Sequence, residues 1–241
     1  MLKIFHLILN IIEHQYKKEL INILKKNLPY KVNTIFDIGA HHGETTLELS
    51  RNFLIKDIYL FEPNHSNFDI LKNNILKQSN DQNIYLNNFA LGDVNKKAKI
   101  KQVLESSSST INEINTSTKY YKRKKKILSF FSKKAKIIET DIEIKSSLEF
   151  IESNNLKKID LMKIDTEGYE YIILKNIENY LKNVGIILFE HHYDLMIVKH
   201  YKFRNINDLL LKNNFKQVFK SKMKFRKSFE YIYINKNFNF E

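Results

Sequence analysis

The chain has 241 residues, room for one domain with an appendage, and a chain of this length buries roughly 70% or more of its unfolded surface. It has no cysteine, which excludes disulfides and every cysteine-based zinc site and suits a reducing, cytoplasmic setting. The net charge of +13 invites a nucleic-acid reading, but no acid lies between Glu113 and Glu139, and the nine Lys and Arg residues there account for most of it.

Residues 1–30 read as an N-terminal helical extension, with residues 31–241 forming a single domain. Ile4, Ile8, Ile11, Ile12, Tyr16, Leu20, Leu24 and Leu28 recur at steps of three and four. The apolar run from Ile4 to Ile12 is too short to span a bilayer and has no small-residue cleavage site. The expectation is a helix covering one end of the sheet. The alternative is a helix lying on a membrane surface.

The chemistry begins at residues 33–63. Thr34 to Ile38 is a short apolar run carrying Asp37 and followed by Gly39 and Gly43, and Glu44 to Leu49 opens a helix. A second run, Ile58 to Phe61, ends in Glu62, and Pro63, which lacks an N–H, terminates it. Strand, glycine turn, helix and acid-tipped strand together place a nucleoside at the C-terminal ends of the strands. His41 stands where a dinucleotide fingerprint has its second glycine, so the turn is poorly shaped for a diphosphate. Glu62 sits where an acid accepts hydrogen bonds from both ribose hydroxyls. A nucleoside without phosphates fits best, and S-adenosyl-L-methionine (SAM) is the expected cofactor.

Further along, His65 to Lys77 reads as a helix capped by Asn64 or Ser66. Ile84 to Phe89 is a third strand running into Ala90-Leu91-Gly92-Asp93, and Ala98 to Leu104 alternates like another strand. Residues 106–136 form a basic insert, KYYKRKKKILSFFSKKAK at its heart. The reading taken first is a solvated loop, against contact with an anionic membrane or a phosphate backbone. Ile137 to Ile144 is a strand and Ser146 to Asn154 a helix. Ile159 to Asp165 is a strand that puts Leu161, Lys163 and Asp165 on one face, and Thr166 is placed to cap a helix running to Leu181. A lysine in an apolar strand needs a partner, either Asp165 or an acid on a neighbouring strand. Val184 to Phe189 is the fifth parallel strand, ending in Glu190-His191-His192. A helix over Ile206–Asn213 and two strands, Phe215–Phe219 and Tyr231–Ile234, close the chain around a basic turn.

In an open α/β sheet, ligands sit outside the C-terminal strand ends. The tips collect Asp37, Glu62, Asp93, Asp165, Glu167 and Glu190, with His41, His42, His65, His191 and His192. Such an acidic edge suits a cationic sulfonium cofactor. For methyl transfer to a hydroxyl, His191 or His192 is the candidate base and Asp165 or Glu167 the candidate orienting group, with Lys163 beside them. No metal is expected, because the ligand spacing is not diagnostic of one.

These residues resemble the FkbM-type methyltransferases. Asp37 to Gly43 stands for the D-x-G-A-x-x-G turn and Phe61-Glu62-Pro63 for the strand ending in E-P. Ala90 to Asp93 matches an A-L-G-D-like segment, and Ile159 to Glu170 matches I-D-L-x-K-I-D-x-E-G-x-E. The likeness covers about residues 31 to 192 and is most specific over 159–170. It implies a class I SAM-dependent methyltransferase fold, a seven-stranded and mostly parallel sheet with an antiparallel last hairpin and helices on both faces. It also implies O-methylation of a sugar, glycan or other small-molecule hydroxyl. The alternative is a methyltransferase-fold module, an RNA methyltransferase included, that binds anionic lipid or nucleic acid through residues 119–136, but nucleic acid is not the expected partner because the aromatic residues there form no recognisable RNA motif. By match, Asp37, Gly39, Ala40, His41, Gly43, Glu62 and Pro63 would hold the cofactor, with Asn88, Ala90 and Leu91 near the adenine. The basic insert is not part of the pattern.

Overall fold

The computed structural model describes residues 18–77, 82–103, 109–131, 137–222 and 227–240. Residues 1–17 of the expected N-terminal helix, residues 104–108 and 132–136 of the insert region, and most of the basic turn, residues 223–226, lie outside the described residues. Residues 18–27 form the helix α1. The main sheet contains β1 (Lys31–Ile38), β2 (Leu54–Phe61), β3 (Asn83–Asn87), β8 (Ile159–Ile164), β9 (Val184–His192), β10 (Phe215–Lys222) and β11 (Ser228–Asn235). Its order is β10-β11-β9-β8-β1-β2-β3, with only the two pairings of β11 antiparallel. This is the seven-stranded, mostly parallel sheet that was expected.

Strands buried on both faces read as near-continuous apolar runs, and β1, β8 and β9 do so here. Alternate residues serve opposite faces. Phe36, Ile38, Ile164 and Phe189 pack under α5 (Ser147–Ser153), α6 (Glu170–Asn176) and α7 (Phe203–Lys212). Ile35, Leu60, Leu161 and Leu188 pack under α1, α2 (Glu44–Asn52) and α3 (His65–Leu76). Leu20, Ile21 and Leu24 of α1 belong to this second layer, so the described part of the N-terminal helix covers the sheet. No helix among the described residues is long and apolar enough to cross a membrane.

The strands expected over 98–104 and 137–144 lie outside the main sheet, as the expected count of five parallel strands and a closing hairpin requires. As β5 (Lys96–Val103) and β7 (Ile137–Ser146) they pair with β4 (Ala90–Gly92) and β6 (Ser109–Thr110) in a separate small sheet. Gly92 therefore lies in a strand, where a loop after the third strand was expected, packed against Ile144 and the Tyr169 ring, where a Cβ would sit 2.6 and 3.1 Å from them. The basic insert is not a loop throughout, because Lys119–Phe131 is the helix α4, pinned by buried Tyr121 against Met196 and Ile197.

Thr166 does not cap a helix reaching Leu181. The helix α6 starts only at Glu170, whose carboxylate accepts the Thr166 and Gly168 N–H groups at 3.3 and 2.8 Å. It ends at Asn176, before a separate 3-10 turn over Glu178–Asn183. Asn64, in contrast, caps α3 as expected, accepting from the Asn67 N–H.

Candidate active site

At the C-terminal ends of β1, β2, β8 and β9 lies a cavity of about 410 Å³. That is within the range of roughly 300–1,000 Å³ usual for small-molecule sites. Two turns shape it. In the first, the N–H groups of Gly39 and Ala40 both donate to Phe61 O, at 2.9 and 3.0 Å, tying β1 to β2. Gly39 has φ +79, and a Cβ there would sit 2.0 Å from the Asp165 backbone oxygen. Only glycine allows the loops after β1 and β8 to close on each other this tightly. Gly43, at φ +89, is the left-handed residue before α2 and packs toward Leu71 and Ile75. It shapes the turn without lining the cavity.

Glu62 is buried at the tip of β2. Its carboxylate accepts the backbone N–H groups of His41 and Asn64, both at 2.9 Å, and it lines the cavity. Burial raises its pKa to about 6, although these donors pull the other way. Gly39, Ala40, His41, Pro63, Ala90 and Leu91 also line the cavity, with Phe61 and Ile38 adding apolar surface. Asn88 does not line it. Its side chain donates to Glu62 O at 2.8 Å and so fixes the strand that carries Glu62.

Asp37 is also absent from the wall. It is fully buried, accepts from the Thr46 hydroxyl at 2.6 Å, and lies 2.9 Å from the Lys163 ammonium, its direct neighbour in the β1–β8 register. Lys163 also donates to Gly39 O at 2.8 Å, while Asp165 is 3.9 Å away. Burial opposes the lysine's charge, but Asp37 and Asp165 outweigh it and hold the ammonium well above the ordinary lysine range. The expected partner of Lys163 is thus chiefly the acid on the neighbouring strand, and the pair clamps the glycine turn.

The other end of the cavity is acidic. Asp165, Glu167, Glu190 and Glu230 line it, with Tyr169. Glu190 and Glu230 face each other across β9 and β11, and like charges placed directly opposite are destabilising. Glu167 has φ +51, a left-handed backbone uncommon outside glycine, and such strain clusters at functional sites. His192 stands behind this acidic face. Its Nε2 is 2.9 Å from Glu167 and 3.2 Å from Glu190, and its Nδ1 is 3.3 Å from Asp194. Burial disfavours its charge, yet these carboxylates hold its pKa well above the ordinary value.

His191, one residue earlier, faces the opposite side of β9 among the rings of Tyr193, Tyr201 and Phe203. Burial, with Lys199 and His192 nearby, pushes its pKa down to about 3. Neither histidine lines the cavity, so neither is the open base expected from sequence. His65 and Asp93 are not in the wall either, and Asp93 instead pairs with Lys96 at 3.2 Å. His41 does line it. Its ring stacks on His42 at 3.6 Å, and its Nδ1 lies 3.3 Å from Glu44 Oε1.

Several wall residues had no signal in the sequence. Glu230 arrives by antiparallel register, Leu20 from α1, and Ile100, Ser109 and Ile111 from the small sheet and the insert. The insert is also laced to the acidic loop. The Thr110 hydroxyl donates to Glu167 O and the Asn112 amide to Gly168 O, both at 2.7 Å.

The model of the methyltransferase FkbM domain matches residues 37–217. This chain belongs to the FkbM methyltransferase family. No curated protein matches it. Among solved structures, it is similar to the FkbM methyltransferase from Methylobacillus flagellatus KT, at 12% identity and a TM-score of 0.55. That alignment covers 87% of this chain and 46% of the other. It is also similar to M. capricolum TrmK in complex with S-adenosyl-homocysteine, at 13% identity and a TM-score of 0.50, over 90% of this chain and 68% of that one. Together with the strand order, these likenesses make the fold that of class I SAM-dependent methyltransferases.

Proposed function

We propose that this FkbM-family protein is a SAM-dependent O-methyltransferase acting on a neutral or cationic hydroxyl-bearing acceptor, a sugar, glycan or other small molecule. The observation that carries the reading is the division of one cavity into two ends. Glu62 and an apolar slot stand at one end, and Asp165, Glu167, Glu190 and Glu230 at the other.

The cofactor end fits a nucleoside. A carboxylate offers about four lone-pair positions, more than the donors on Glu62 take, so it can accept from ribose hydroxyls as well. Phe61, Ala90 and Leu91 supply the apolar surface a base needs. When bound, SAM supplies an electrophilic methyl group on a sulfonium. The protein's own part is to hold and orient. The Lys163–Asp37 pair fixes the Gly39 turn. Asp165, with 38% of its side chain exposed, is the carboxylate of the group most open to an acceptor and takes the hydroxyl proton. Glu190 and Glu167, held in place by His192, accept hydrogen bonds from the acceptor's other hydroxyls. The acceptor end, with four carboxylates against the single Lys163 ammonium, disfavours phosphates, which argues against a nucleic-acid acceptor despite the charge of the whole chain.

Calorimetric titration with SAM, and separately with NAD, tests the first half. Saturable SAM binding that is lost in Glu62→Ala supports it, and no SAM binding by folded protein sinks it. The second half is tested with methyl-labelled SAM and a panel of neutral, amino and phosphorylated sugars. Label appearing only on the phosphorylated sugars would overturn the acceptor reading.

A further inference from the structure

The helix α4 is charged on a scale nothing in methyl transfer explains. Lys119, Lys122, Arg123, Lys125 and Lys126 are all exposed, and Lys124 is half-buried. No acid occurs anywhere in residues 114–138.

The helix is not a loose appendage. Its buried Tyr121 packs on Met196 and Ile197. The segment leading to it is bridged at Ile114 to Ile197, and its backbone is bonded on both sides: Asn115 N–H donates to Met196 O at 2.7 Å, and Val198 N–H to Glu113 O at 2.9 Å. Ile197 in turn lies against Gly168, where a Cβ would approach it to 2.9 Å. The cationic face is thereby fixed, through two short steps, to the acidic loop of the cavity.

We propose that α4 docks this protein onto an anionic membrane surface, with the cavity held beside that surface. One observation favours a membrane over a nucleic acid. The basic run is followed in the same helix by Ile127-Leu128-Ser129-Phe130-Phe131, and a helix combining cations with large apolar residues suits a lipid interface. The proposal does not depend on the methyl-transfer reading, and its consequence is that the acceptor is met at a membrane surface.

The test is co-sedimentation of the full chain with vesicles of phosphatidylcholine alone, and of phosphatidylglycerol with phosphatidylcholine. A single-stranded RNA is titrated in parallel. The variant carries Lys122→Gln, Arg123→Gln, Lys125→Gln and Lys126→Gln together, on exposed positions outside the cavity. Binding is expected only to the anionic vesicles, falling steeply with added salt. The variant, melting at the same temperature as the parent, should bind them roughly a thousandfold more weakly. Absence of binding to anionic vesicles overturns the proposal, as does undiminished binding by the variant. RNA binding stronger than vesicle binding and lost in the variant also overturns it, and assigns the helix to nucleic acid instead.

Discussion

The Lys163 ammonium and the Asp37 carboxylate meet 2.9 Å apart at the base of the cavity, where Lys163 lines the wall and Asp37 lies fully buried behind it. This pair supports the glycine turn from beneath, since the same ammonium also holds Gly39 O. Removing one partner leaves an uncompensated buried charge. Asp37→Asn or Lys163→Met alone should therefore cost about 3–5 kcal/mol in urea unfolding. Replacing both should recover much of that loss. Single variants costing less than about 1 kcal/mol would show that the pair does not carry the turn.

Glu62 should make cofactor affinity depend on pH. Burial raises its folded pKa to about 6, above the ordinary glutamate value of 4.5, so the folded protein holds an extra proton between those values. Stability from this group accordingly falls as pH rises through that window. The ionised carboxylate is the better acceptor for hydroxyls, so SAM affinity should rise through about pH 6 and level off above it. Glu62→Gln should abolish the step and weaken binding by about 1.5–3 kcal/mol. A pH-independent affinity in the parent protein would remove Glu62 from the cofactor's contacts.

The two adjacent histidines should titrate in opposite senses. His192 is raised, so the stability it contributes is complete below the unfolded value near 6.5 and is lost only as pH climbs through its higher folded pKa. His191 is lowered to about 3, so its contribution is present above about 6.5 and disappears as pH falls toward 3. Imidazole resonances should show His191 neutral and His192 charged at pH 7. If His192 titrates near 6.5, the three carboxylates around it are not placed as described.

Gly39→Ala tests the closeness of the two loops. The new Cβ would fall 2.0 Å from Asp165 O, at a φ of +79 that alanine rarely adopts. Strain and displacement together should cost at least about 2 kcal/mol and abolish SAM binding. Parent-like binding in this variant would mean that the loops after β1 and β8 can separate without harm to the site.

Much of this protein is legible in its amino-acid sequence, because local pattern determined it. The apolar runs at β1, β2, β8 and β9 alternate with helical periods, and Gly39, Gly43 and Gly168 fall at turns that need them, so the parallel core and its ligand edge follow from periodicity and turn chemistry. Glu62, Asp165 and Glu167 are legible as well, since acids at the C-terminal strand tips of such a sheet fall at its ligand edge. What only the tertiary structure decided is which side chains face one another. Asp37 and Lys163 pair because β1 lies next to β8 in a particular register, and Glu190 meets Glu230 because β11 runs antiparallel to β9. His191 and His192 look alike in sequence, yet a strand turns successive side chains to opposite faces, burying one among rings and the other among carboxylates. The small sheet and the docking of α4 rest on contacts between segments far apart in the chain, which the composition of neither segment encodes.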